Sequence, residues 1–208
     1  MAVRAEMTVA WIVGGCLSSE LLGYFLHRLL HSGRIPFLSR SHMKHHMELY
    51  GPLQPQRSKA YLDATTESVS LGNIGLEWLI PSAVLLAFAL GTLRLLHVPG
   101  FYQGVYVASI LAWSFLMFSY LHDVMHVEGF WLERIPLLRS WFVSARNLHE
   151  IHHRVLNDQG IMHKNFGIGF FFLDRLFGTL SPEEPVFNPK GYQAAREQFK
   201  IHQFKETL

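Results

Sequence analysis

The sequence is poor in cysteine and in charge, and both shortages restrict what the chain can be. Its 208 residues include one cysteine, Cys16, which excludes an internal disulfide and an iron–sulfur cluster held by this chain alone. Charged residues make up 16% of the chain and the net charge is only +2, so the composition predicts no nucleic-acid partner. Half of the residues are hydrophobic and the mean hydropathy is +0.16. These values favour a membrane protein with one domain, residues 1–208.

Three apolar stretches are long enough to cross a bilayer as helices, which takes about 20 residues. They cover roughly 7–26, 72–95 and 102–121. The loop between the second and third stretches is very short, so these two form a helical hairpin. The predicted fold class is therefore an all-α, integral-membrane helical bundle with about three spans.

The segments outside the spans predict a cap and a tail on one face of the membrane. With three spans, residues 27–71 and 122–180 emerge together as a histidine-rich cap, and 181–208 form a polar tail. Within the cap, 130–155 predicts an amphipathic interfacial helix, and 166–180 a fourth segment that is interfacial or re-entrant. Sixteen of the eighteen Lys and Arg residues lie in the cap and tail, so the positive-inside rule predicts a cytoplasmic cap. We expect a multi-pass protein of the bacterial inner membrane or the ER membrane.

Histidine is the residue that the sequence uses most distinctively, in one pattern written twice. Each copy reads HxxxH, a gap, and then HxxHH. Imidazole is the commonest metal ligand among side chains, and residues i and i+4 share a helix face, so each cluster offers several imidazoles to one point. Ten such ligands divided between two ions give about five each and leave a position for oxygen or water. The predicted ligands, with His163 after the second copy, are His27, His31, His42, His45, His46, His122, His126, His149, His152, His153 and His163.

Two other functions are compatible with parts of the pattern. The stretch His149-Glu150-Ile-His-His153 also satisfies HExxH, in which two histidines hold one zinc ion and the glutamate is a general base. A zinc-dependent membrane hydrolase would leave the other three clusters unexplained. The third interpretation is a non-catalytic metal-binding membrane protein. Imidazole suits iron, zinc and copper; two redox-active irons fit the ligand count best, with zinc as an alternative occupant of purified protein.

The four histidine boxes and the residues around them resemble those of the fatty acid hydroxylase superfamily. Its members are integral-membrane non-haem diiron proteins. Sterol desaturases, fatty acid 2-hydroxylases and bacterial carotenoid hydroxylases belong to it. The resemblance covers roughly 17–180, and the stretch from His122 to Arg139 is similar to carotenoid hydroxylases in particular. The other residues that carry it are Glu20, Tyr24, His27, Arg28 and His31, the two HxxHH boxes, Asn165-Phe166-Gly167, Asp174-Arg175 and Thr179.

This resemblance implies an O2-dependent hydroxylation or desaturation of a lipid C–H bond. The substrate would be a sterol, a fatty acyl chain or a carotenoid, and the cofactor two iron ions with O2 as co-substrate. Electrons would come from an external donor of the ferredoxin or cytochrome b5 type with its reductase. Tyr24 and Asn165 match the family pattern and would line the site. Asp123, Glu150 and Asp174 are predicted to hold ligand imidazoles by hydrogen bonds. The oligomeric state stays open.

Overall fold

Helices account for almost all of the regular structure. The computed structural model describes residues 2–64 and 76–201, with side chains for 4–61 and 80–201. Helix makes up 70% of the chain, and the described residues contain no strand, only two isolated bridges. The predicted all-α class is confirmed. The helices are α1 (Ala2–His31), α2 (Pro36–Lys44), α3 (Lys59–Ala64), α4 (Leu76–Leu95), α5 (Gly100–Ser114), α6 (His122–Met125), α7 (Pro136–Arg154), α8 (Phe172–Leu176) and α9 (Pro189–Phe199).

Within the part of the chain that the structure describes, two helical stretches are long and apolar enough to cross a membrane, Arg4–His31 and Gly100–Met125. They pack side by side through small residues, because a Cβ on Gly15 would lie 2.7 Å from Ser109 Cβ. Further along, the Ser19 and Ser114 hydroxyls are 2.7 Å apart. Close approach and side-chain hydrogen bonds are what hold helices together in lipid. This packing brings the histidine-bearing ends of both helices together.

The helix α4 corresponds to the middle predicted span. Its apolar described part, Ile80–Leu95, is shorter than the two long helices. Residues 72–75 of the predicted span lie outside the described residues, as do 65–71 of the cap and 202–208 of the tail. A three-span topology with a cytoplasmic cap therefore stays a prediction.

Two π-helical turns lie beside the histidine boxes. The first, His45–Leu49, continues α2, and the Tyr50 N–H donates to the His45 carbonyl five residues back. The second, Phe115–Leu121, joins α5 to α6. A π turn adds a residue to the helical turn and rotates the side chains that follow it, and such turns are frequent at functional sites. Here the first turn begins at His45, and the second ends immediately before His122.

The cap differs in detail from the sequence pattern. Residues 130–155 are not one helix, because Pro136 begins α7 after a separate 3₁₀ turn, Trp131–Arg134. Residues 166–180 form a buried loop and then the short α8. The polar 181–201 segment carries α9, whose Ala195 and Phe199 pack against Met43 of α2. This stretch is therefore part of the folded cap.

Candidate metal centre

Ten histidines meet in the cap as two neighbouring groups; they come from α1, from α2 and the π turn after it, from α6 and the residue after it, and from α7. Four imidazoles of each group have ring nitrogens within 4.8 Å of one another, and His152 and His122 complete them. The two groups adjoin, since the rings of His46 and His153 are 4.0 Å apart. The first histidine group is His27, His31, His42, His46 and His152, and the second is His45, His122, His126, His149 and His153.

The nitrogen atoms in each group have the spacing of ligands around one ion. In the first group, His31 Nε2 lies 3.0 Å from Nε2 of both His42 and His152. In the second, His149 Nε2 lies 3.2 Å from Nε2 of His126 and His153. Metal–nitrogen bonds of about 2.1 Å place adjacent ligands of an octahedron about 3.0 Å apart. Each group therefore fits a metal ion by distance.

The two sequence copies do not map one to one onto the two groups. The middle histidine of each HxxHH box crosses over, so that His45 joins the second copy's ligands and His152 joins the first copy's. An α-helix turns by about 100° per residue, so a side chain at i+3 diverges from its neighbour at i+4. His42 and His46 consequently face one group while His45 faces the other.

Backbone carbonyls fix the orientation of four imidazoles. The Nδ1–H groups of His27, His126, His152 and His153 donate to the carbonyls of Phe166, Pro55, Lys164 and Tyr50, at 2.6, 2.7, 2.6 and 2.9 Å. With Nδ1 protonated, a neutral imidazole presents the Nε2 lone pair. Metal-bound histidines have their other ring nitrogen held in this manner. These bonds therefore favour Nε2 coordination.

Several ring nitrogens of the second group converge on shared contacts. His126 and His153 both donate through Nδ1, so both bring an Nε2 lone pair to His149 Nε2. His149 can donate one proton to one of them, so its contact with the other is not a hydrogen bond. Among the described side chains, His122 Nε2 is also buried and has no hydrogen-bond partner. A cation bound by each group would satisfy these atoms, so the residues fit two metal ions.

Burial keeps the cap imidazoles neutral, which is the state that binds a metal. Loss of hydration on burial lowers the pKa of His126 to about 4. Burial, followed by the proximity of other histidines, lowers the pKa of His46 and His149 well below its usual value. Ten imidazoles crowded in one buried space could not all be charged. The neutral imidazoles can therefore bind a cation without first losing protons.

Asp174 acts on the ligands through the backbone. Its buried carboxylate accepts from the N–H groups of Phe166 and Gly167 at 2.8 and 2.7 Å, and from the Thr179 hydroxyl at 2.7 Å. The carbonyl of Phe166 in turn accepts from His27. Burial raises the pKa of Asp174, and these three hydrogen bonds oppose the rise. The aspartate thus holds the loop that holds His27, and makes no direct bond to an imidazole among its described contacts.

Asn165 and Tyr24 secure the same loop. Asn165 is fully buried with a left-handed φ of 55°, and its amide donates to the carbonyls of Leu148 and Ser181. The Tyr24 hydroxyl lies 2.8 Å from Thr179 Oγ1. Both residues therefore support the site from outside the histidine groups.

Glu150 and Asp123 each follow a ligand histidine along the chain. Glu150 accepts from Gln56 and lies 4.0 Å from Arg154, as expected for a residue that the helix turns away from His149. This environment gives the zinc-hydrolase interpretation no support. Asp123 Oδ1 lies 3.9 Å from His122 Nδ1, beyond hydrogen-bond distance.

His163 is the one predicted ligand that the structure leaves outside both groups. Its side chain is exposed. It follows the second copy by ten residues and lies on the loop that leads to Asn165. Proximity in sequence to a histidine box therefore did not bring it to the metal-binding space.

Tyr50 is a site residue that the sequence pattern did not reveal. Its ring stacks on His126 with centroids 4.0 Å apart and meets the edge of His45 at 4.9 Å. Its carbonyl accepts from His153. Tyr50 thus touches three ligands of the second group. A lone tyrosine after a histidine box carries no recognisable signal, and neither do the carbonyls of Pro55 and Lys164.

Comparison with protein families gives a match over most of the chain. The family described as Fatty acid hydroxylase matches residues 12–179, a stretch that includes both histidine groups and the loop held by Asp174. Neither a curated protein nor a solved structure matches the chain.

Proposed function

Because the chain belongs to the fatty acid hydroxylase family, we propose that it is a membrane-bound diiron oxygenase that hydroxylates or desaturates a lipid. Family membership implies an oxidoreductase that acts on lipids. The observation that carries the proposal is the convergence of ten imidazoles, all buried except the partly exposed His45, in two adjoining groups of five. A single structural ion takes about four ligands, so two such groups suit a pair of ions.

When bound, two iron ions would supply the redox chemistry that activates O2 against an unactivated C–H bond. The chain's own residues orient the ligands and keep water away. The carbonyls of Phe166 and Pro55 hold the protons on Nδ1 of His27 and His126. Burial of both rings excludes solvent from the metal-binding space. These arrangements need no reorganisation when the metals bind.

An external electron donor follows from the stoichiometry. Hydroxylation of a C–H bond consumes O2, two electrons and two protons, and yields an alcohol and water. Desaturation uses the same inputs and yields an alkene and two waters. The single cysteine excludes an iron–sulfur centre held by this chain alone, so a ferredoxin or cytochrome b5 type of donor, with its reductase, is part of the proposal.

The test is oxygen incorporation by the purified, iron-loaded protein. With a chemical reductant and ¹⁸O2, a membrane lipid extract should yield a labelled alcohol, or an alkene formed only when O2 is present. His149→Ala should reduce product to background, whereas the matched control His163→Ala should retain it, because His163 is exposed. Oxidation that persists in His149→Ala, or full activity with fewer than about two ions per chain, would contradict the proposal.

A further inference from the structure

An apolar cavity of about 250 Å³ lies among α1, α4 and α5 with its π-helical extension. Leucines supply much of its wall, among them Leu22, Leu86 and Leu111. Two of its hydroxyls, Ser19 and Ser114, bond to each other. The cavity therefore presents mostly hydrocarbon to an occupant and lies between helices that are apolar along their length.

One end of the cavity lies directly below the two histidine groups. Gly23 and Phe118 both line it, and each precedes a histidine by four residues, Gly23 before His27 and Phe118 before His122. Residues four apart lie on nearly the same helix face. The rings of His27 and His122 have centroids 6.5 Å apart and belong to different groups. This end of the cavity therefore points to the junction between the groups.

Phe118 occupies that end by lying on Gly23. A Cβ on Gly23 would lie 2.0 Å from Phe118 Cζ and 2.4 Å from Cε2. The ring consequently packs directly on the backbone of α1, in space that any side chain at position 23 would require. Only glycine lets the Phe118 ring approach the α1 backbone so closely. The missing side chain at position 23 therefore determines how far the ring reaches across the cavity.

We propose that this cavity binds an unbranched hydrocarbon chain of the lipid substrate, and that Phe118 on Gly23 sets how far the chain reaches toward the histidines. The inference rests on the proposed function and specifies its substrate class. Sites for drug-sized ligands span about 300–1,000 Å³, so the smaller volume here suits a slender chain better than fused sterol rings. The depth of the chain would decide which carbon lies nearest the metals.

Binding to the full-length, iron-loaded protein in detergent tests the proposal without any turnover. Saturated straight-chain fatty acids of increasing length displace a fluorescent straight-chain fatty acid. Each methylene that enters the cavity should raise affinity about fourfold, until the chain end meets Phe118 and the gain stops. Gly23→Ala pushes the ring into the cavity and should move this break to shorter chains. Phe118→Leu removes the ring and should move it to longer chains.

Phe88→Leu is the matched control, because Phe88 is 75% exposed on α4 and does not line the cavity. The chain length at which its affinity stops rising should equal that of the unmodified protein. Metal content, measured for every variant, verifies the folded cap. An unchanged break in both Gly23→Ala and Phe118→Leu, or tighter binding of cholesterol than of any fatty acid, would overturn the inference. Binding requires neither O2 nor a reductant, so chain binding by a protein that fails the ¹⁸O2 test would contradict only the proposed function.

Discussion

His152 Nε2 lies 3.0 Å from His31 Nε2, although the two residues are 121 positions apart and belong to different copies of the repeated motif. The reciprocal exchange places His45 Nε2 3.1 Å from His126 Nε2. Each histidine group therefore takes ligands from both copies. Neither copy could assemble a complete group by itself, so metal binding also ties α7 to α1, and the π turn after α2 to the residue that follows α6.

Loss of one exchanged histidine should impair the group that it enters rather than the copy that it comes from. We expect His152→Ala to weaken the first group and His45→Ala the second. Each variant should retain about one iron per chain after dialysis, against about two for the unmodified protein and for His163→Ala. Spectroscopy of the remaining iron distinguishes the groups, and identical spectra from the two variants would contradict the assignment.

Asp174→Asn should weaken metal binding although Asp174 touches no imidazole among its described contacts. The amide can accept at one atom only, so the hydrogen bonds to Phe166 and Gly167 cannot both remain. Loss of such outer partners costs about 10–100-fold in metal affinity, and one unsatisfied buried group costs about 1–3 kcal/mol of stability. Competition with a chelator and urea unfolding measure the two effects. Asp158→Asn, at an exposed ion pair with Lys190, is the control and should bind metal normally.

Tyr50→Ala should selectively weaken the second histidine group. It removes the ring that stacks on His126 and borders His45, so we expect a loss of about tenfold or more in affinity for one of two ions. Tyr50→Phe keeps the ring and should lose far less. Iron titration resolves the two classes of site. Equal weakening of both ions by Tyr50→Ala would indicate a general loss of packing instead.

The metal-free protein should lose stability as pH falls from about 6.5 to about 4. Unfolded histidine has a pKa of about 6.5, whereas burial lowers the pKa of His126 to about 4 in the folded chain. Between these values the unfolded chain binds more protons, so the free energy of unfolding rises with pH across this window. Urea unfolding at a series of pH values measures the slope. A flat profile for the metal-free protein would contradict the prediction.

Glu150→Gln separates oxygenase from hydrolase chemistry. Glu150 contacts Gln56 and Arg154 rather than a histidine group, so the variant should keep both ions and lipid oxidation within about tenfold of the original rate. A hydrolase with Glu150 as general base would lose about 10²–10⁴-fold. Product formation and metal content should be measured on the same preparations, and complete loss of activity with full metal content would favour the base role.

The histidine pattern predicted the candidate site more fully than it predicted the cap around it. Ten imidazoles near helix ends predicted two groups of about five ligands each, because i, i+4 spacing directs side chains to one face. The segment 181–201 was predicted as a tail, yet α9 buries Phe199 against Met43. Its few apolar residues gave too weak a pattern to indicate packing. His163 is a possible ligand by residue type, but its side chain is exposed outside both groups. The spacing of the histidines in the sequence does not indicate this difference.

The sequence by itself determined the donor chemistry, the all-helical class and the family, since these depend on residue types and on local periodicity. Only the tertiary structure decided which histidine enters which group, because the exchange of His45 and His152 depends on how α2 and α7 face each other across the site. It also decided that the carbonyls of Phe166 and Pro55 orient ligands. Every residue carries a carbonyl, and the sequence does not indicate which carbonyl accepts a hydrogen bond from a histidine. The seating of Phe118 on Gly23 is of the same kind, a contact between distant helices that only their packing creates.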